Sequence, residues 1–260
     1  MRCRSSLVVV ACALLFVPGA AVADAPAALQ RLDLDELARQ AKTVPIDKDE
    51  LRELLVMGTP MVVELSAAID LGGGAIAIAW SECSESRCRG WAGTLTGDAG
   101  QRRLVKKVAL VAPAKVFSVQ GFTFEAPAFT DLDGDGAPEI VLHYRADEPP
   151  RRALGSLFHE YVVACSPKDL SVIFSHELWR GGALSEDACS WSLDRSGDRL
   201  IASAACNSPM CLNNPPEDGC KPTRKLLETW RKPRGQKSYT RVANQAQPLV
   251  GPVGPTSRAQ

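Results

Sequence analysis

Asp131-Leu132-Asp133-Gly134-Asp135-Gly136-Ala137-Pro138-Glu139, followed at once by Ile140-Val141-Leu142-His143-Tyr144, is the stretch from which the fold is read. Carboxylates at alternate positions converge on one hard cation only if the backbone bends sharply, and Gly134 and Gly136 permit that bend. Calcium prefers six to eight oxygens. The side chains of Asp131, Asp133 and Asp135, the backbone carbonyl of Ala137, the carboxylate of Glu139 and water fill such a shell. The residues after the loop alternate, with Ile140, Leu142 and Tyr144 on one face and Val141 and His143 on the other, which predicts a strand. An EF-hand instead requires a helix there and a bidentate Glu at loop position twelve, where this chain has Leu142. The competing reading is a solvated acidic turn, since Asp and Gly favour turns. Alternating Asp with two glycines and an acid at the ninth position is the more specific pattern.

These residues resemble the FG-GAP or VCBS type of repeat, known from integrin α-subunit propellers and many secreted bacterial proteins, where a D-x-D-G-D-G-x-x-D loop leads into a strand. Glu139 stands where that pattern ends in Asp. A single copy covers roughly fifteen residues, whereas propellers repeat the motif blade after blade. The resemblance implies a calcium-bearing connection between strands and does not by itself imply a propeller.

Outward from the loop the hydrophobic period is two. Segments 61–69, 74–80, 91–95 and 104–111 precede it, and 157–164, 170–178, 189–193, 200–205, 226–231 and 238–243 follow, all separated by Gly or polar turns. Leu71-Gly72-Gly73-Gly74 reads as a hairpin turn, because a phosphate loop would need a following helix and a Lys-Ser or Lys-Thr pair. Arg195-Ser196-Gly197-Asp198 reads as a tight turn, and Pro233-Arg234-Gly235 closes the last pair, bringing Trp230 and Tyr239 near each other. Strands without intervening helices predict a mainly β fold, an antiparallel meander that is either partial propeller-like or a sandwich.

A short two-helix segment precedes the strands. The spacing predicts one helix over 34–41 and a second capped by Asp47, with Glu50 reaching back, Ile46 and Leu51 forming a hydrophobic staple, and Gly58 as the stop. The two together would form a small cap on the main domain. The expected organisation is a signal peptide at 1–23, a tether and helical segment at 24–58, a β-rich domain at 59–244 and a disordered tail at 245–260.

Arg2 and Arg4, the apolar run 7–17 and Ala21-Val22-Ala23 have the form of a secretory signal peptide cleaved after Ala23. The run is too short for a membrane span. Val9-Val10-Ala11-Cys12 also fits a lipoprotein box, but the apolar run continues beyond Cys12, which favours the later cut. The reading is therefore a secreted or periplasmic chain. Without residues 1–23 the 30 Lys and Arg become 28 against 30 Asp and Glu, a net charge of −2, which gives no overall attraction to nucleic acid. Nine Lys or Arg lie between positions 221 and 260 with Glu228 as the one acid. A solvated face is the plain reading of such a run, and contact with an anionic surface is the functional alternative.

Seven cysteines remain after cleavage, and export invites disulfides. The preferred pairing is Cys83 with Cys88, Cys189 with Cys206 and Cys211 with Cys220, leaving Cys165 free and buried. Zinc is disfavoured because paired C-x-x-C spacing is missing. A free Cys165 raises nucleophilic catalysis with His143, His159 or His176 as base, but no Asp or Asn spacing singles one out, and Ser156 lacks the second glycine of a nucleophile elbow. No catalytic residue is assigned. The expected function is an exported calcium-binding module with a binding or structural role, whose partner is an envelope protein or glycan. The alternative is a secreted hydrolase on the same calcium-stabilised scaffold. A pocket collecting a His and a carboxylate would mark the hydrolase, and a shallow apolar patch would mark the module.

Overall fold

The computed structural model describes residues 29–55, 62–84, 87–110, 119–132, 134–149, 157–182, 188–207, 224–233 and 235–248. Residues 1–23 with the alternative lipidation site Cys12, and also Gly58, Asp133, Cys211, Cys220 and 249–260, lie outside them. Strands make up 62% of the structure and helices 8%, so the chain is mainly β, with antiparallel sheets as the alternation predicts.

The smaller sheet holds six strands: β2 (Thr43–Val44), β3 (Val62–Leu65), β4 (Ala68–Gly72), β5 (Ala75–Ser84), β6 (Arg87–Thr96) and β7 (Arg103–Ala109). Their order is β2-β4-β5-β6-β7, with β3 also on β5. The strand expected over 61–69 is broken: β3 stops at Leu65 and β4 starts at Ala68, because the Ser66 amide and hydroxyl both turn to the backbone of Ala79. Gly72, Gly73 and Gly74 all take positive φ and form the predicted hairpin turn, a conformation that side-chain-bearing residues resist. Cys83 and Cys88 stand opposite each other on β5 and β6 and are joined by a disulfide, as expected.

The larger sheet holds ten strands: β1 (Gln30–Leu32), β8 (Gly121–Phe124), β9 (Ala128–Thr130), β10 (Glu139–Asp147), β11 (Leu157–Cys165), β12 (Val172–Gly182), β13 (Ala188–Ser196), β14 (Arg199–Asn207), β15 (Arg224–Arg231) and β16 (Thr240–Pro248). From β10 to β16 each strand pairs with the next, which is the predicted meander; β8 and β9 share the other edge of β10, and β1 pairs with β13. β16 extends to Pro248, inside the region whose composition suggests a tail, because 245–248 complete the ladder to β15. No barrel closes.

The two sheets pack face to face. Ile69, Ala77 and Ala92 of the smaller sheet share one apolar cluster with Leu142, Tyr144, Tyr161 and Val163 of the larger. This is the sandwich arrangement rather than the radial small sheets of a propeller. Gly90 makes the close approach possible, since a Cβ there would lie 2.7 Å from the ring of Phe122.

The opposite face of the larger sheet folds on itself. In a flat sheet β12 and β15 stand three strand spacings apart, roughly 14 Å. Here His176 of β12 lies 3.2 Å from Glu228 of β15, and the Tyr239 amide donates to the Ile173 carbonyl at 2.8 Å. The sheet therefore curls, enclosing Phe174, Leu193, Leu200, Ala202 and Tyr239; Trp230 and Tyr239 both pack on Phe174.

The helices do not form one cap. α1 (Leu34–Gln40) begins where Asp33 accepts the Glu36 amide at 3.0 Å, and its Leu34 and Leu37 pack on the curled face of the larger sheet. α2 (Lys48–Leu55) covers the outer face of the smaller sheet through fully buried Leu51, with Ile46 beside it. Glu50 does not reach back to close a capping box. Its carboxylate accepts the Gly100 amide at 2.9 Å and pairs with Arg102, tying the helix to the β6–β7 turn. No helix among the described residues is long and apolar enough to cross a membrane.

Candidate metal loop and adjoining cleft

The loop joins β9 to β10 and is closed by the pair Thr130 and Glu139. A strand, not a helix, starts at Glu139, in keeping with the alternation of 140–144. The loop is wound around Asp131: Oδ1 accepts the amides of Gly134 at 2.6 Å and Asp135 at 3.1 Å, and Oδ2 accepts that of Gly136 at 3.0 Å. Gly134 and Gly136 take φ of 75° and 87°, the left-handed conformations that the bend demands. Asp135 Oδ1 accepts the Ala137 amide at 2.8 Å. Glu139, only 4% exposed, turns back into the loop and accepts the Leu132 amide at 2.7 Å. Leu132 itself is buried in the curled core and anchors the loop.

A carboxylate offers about four lone-pair sites, so three amides leave Asp131 with capacity for a cation. The donors are all oxygens, which suits calcium or magnesium rather than a softer metal. Two basic side chains border the loop. Arg195 donates to the Asp131 carbonyl at 2.8 Å and to Gln30 at 2.6 Å, and Lys232 lies 3.4 Å from Asp135 Oδ2. Asp131 and Glu139 thus turn into one loop, whereas Asp135 divides its oxygens between the loop and Lys232. Among the described residues, which lack Asp133, no group of three or more His, Cys, Asp or Glu is gathered within reach of one ion.

The curled face carries polar groups that alternation alone does not single out. His143 of β10, Val162 of β11 and His176 of β12 stand in register across three strands. His143 pairs with Glu160 through Nε2. His176 contacts Glu228, whose other oxygen is held by Arg241 at 2.8 Å. Burial holds the His176 imidazole below its ordinary pKa despite the charge of Glu228. The Glu177 backbone contact also favours the protonated ring, and burial outweighs it. His159 lies on the other face. Burial would lower its pKa, but hydrogen bonds from its two nitrogens to Glu177 and Glu148, both at 2.7 Å, and the charges of those acids raise it overall. Carboxylates at both ring nitrogens favour the protonated imidazole.

A cleft of about 310 Å³ opens on the curled face. One wall is the start of α1 with β1, bearing Arg31, Asp33 and Asp35; the other holds His143, Glu160 and Trp191. Its position follows from the topology. Among the described residues β12 and β13 share only the pair Trp179 and Ser190, and β1 takes over the edge of β13 by pairing Leu32 with Leu193. The strands fork, and the cleft fills the fork.

Cys165 is free and buried as expected, and burial pushes its thiol up to about 12, which removes it as a nucleophile. Cys206 is disulfide-bonded and stands across the ladder from Cys189, the partner expected for it. Compared with protein-family models, with curated proteins and with solved structures, the chain matches none. The fold and loop define the class, a two-sheet antiparallel β protein with an acidic strand connection.

Proposed function

We propose that the chain is an exported calcium-binding β-rich module of the cell envelope or extracellular space, with a binding or structural role toward an envelope protein or glycan. The observation that carries this reading is the loop wound on Asp131, with Gly134 and Gly136 left-handed and Glu139 turned inward at the start of β10. Asp131, Asp133, Asp135, Ala137 and Glu139 would hold the ion, and Lys232 would give up Asp135 to it. The ion stabilises the β9–β10 connection and takes no part in chemistry. Arg231, Lys232, Lys237 and Arg241 each lie within ion-pair distance of an acid, which supports a solvated face over contact with an anionic surface. Chelator should lower the melting midpoint by a few degrees relative to calcium, and Asp133→Ala should erase the difference. Equal midpoints in chelator and calcium would overturn the proposal.

One observation favours the second reading, a secreted hydrolase: the cleft gathers His143 and Glu160. A nucleophile is harder to find, because Cys165 is a buried thiol and the Ser192 hydroxyl is bonded to Ser203 at 2.8 Å.

A further inference from the structure

We propose that the cleft beneath α1 binds a small organic ammonium compound with an apolar body. The proposal is independent of calcium at the loop. The first argument is charge: Asp33, Asp35 and Glu160 line the cleft against Arg31, which leans toward Asp194 at 3.7 Å, and His143, which is paired with Glu160. Asp33 is committed to capping α1 and Glu160 to His143, while Asp35 makes no ion pair among the described residues. An entering ammonium meets an excess of acceptors, and a carboxylate ligand would meet repulsion.

The second argument is shape and polarity. Leu32, Leu178 and Leu193, each at least nine-tenths buried, give the cleft an apolar floor, and Trp191 supplies an aromatic surface of the kind that attracts cations. Behind Trp191, with ring centroids 4.7 Å apart, stands His176, which backs that wall of the cleft. A volume of about 310 Å³ suits a compound of one ring and a short chain rather than a polymer.

The test uses 2-phenylethylammonium, its neutral counterpart 2-phenylethanol and the anion 3-phenylpropionate, titrated by calorimetry and by amide NMR, each in calcium and in chelator. The ammonium compound should bind at least about fivefold more tightly than the alcohol and the anion least, as expected for one nearby unit charge. Amide shifts should fall on Arg31–Asp35 and Ser192–Leu193. Asp35→Asn, at an exposed position that does not threaten folding, should remove most of the preference, and Glu160→Gln should lower it further. Equal affinity for amine and alcohol, an unchanged preference in Asp35→Asn, shifts confined to other surfaces, or no binding of any probe at millimolar concentration would each overturn the proposal. The chelator arm keeps this outcome separate from that of the calcium reading.

Discussion

Glu139→Gln separates an acid that merely shapes the loop from one that also holds an ion. In chelator the substitution keeps an oxygen acceptor for the Leu132 amide, so it exchanges a charge-assisted bond for a neutral one. The expected loss is about 1 kcal/mol. Relief from burying the charge of a 4%-exposed carboxylate works in the opposite direction. In calcium the account is different. If the affinity is about 0.1 mM, as for extracellular calcium modules, about 1 mM calcium stabilises the wild type by about 1.4 kcal/mol. For a domain of this size that is about 3–5 °C in melting temperature. The variant should lose nearly all of that increment, so the gap between wild type and variant widens on adding calcium. Scanning calorimetry of both proteins, in chelator and in calcium, reads the four midpoints. A variant that gains as many degrees from calcium as the wild type would refute Glu139 as a ligand.

Three further outcomes follow from the packing. His159 has a raised folded-state pKa, so its stabilisation is complete below the unfolded value of about 6.5 and is lost as pH rises through the folded value. His159→Gln should cost most under mildly acidic conditions and least under alkaline ones, measured by urea denaturation across pH; a cost independent of pH would contradict the charged Glu148–His159–Glu177 arrangement. Gly93→Ala would place a Cβ 2.6 Å from the fully buried ring of Trp80 and should destabilise by about 1–3 kcal/mol in the same assay, whereas a neutral result would deny the close approach. Iodoacetamide should leave Cys165 unmodified in the native protein and label it after denaturation, read by peptide mass spectrometry; native labelling would contradict its burial.

What the sequence makes legible is local. The strand after the loop, the triple-glycine turn, the turn at 195–198 and the cross-strand disulfide Cys83–Cys88 each depend on residues within a few positions of one another. The short strands β8 and β9 escape prediction because three or four residues carry too little periodicity, and they are fixed by pairing with β10. Glu50 has the spacing of a capping-box acid but finds a better use fifty residues away at Gly100. The cleft is the least legible feature. It depends on the curl that brings His176 to Glu228 across 52 residues and on β1 pairing with β13, neither of which alternation can encode. The metal loop is legible as a donor set. Its basic neighbours Arg195 and Lys232 are not, because they arrive from distant hairpins.

Calorimetric titration of the metal-stripped protein decides whether the proposed β9–β10 loop takes up calcium. One site of roughly 0.1 mM affinity is expected, lost in Asp131→Asn, with amide shifts centred on Gly134 and Gly136. A titration without heat and without shifts in those two amides, for a protein shown to be folded, would contradict it.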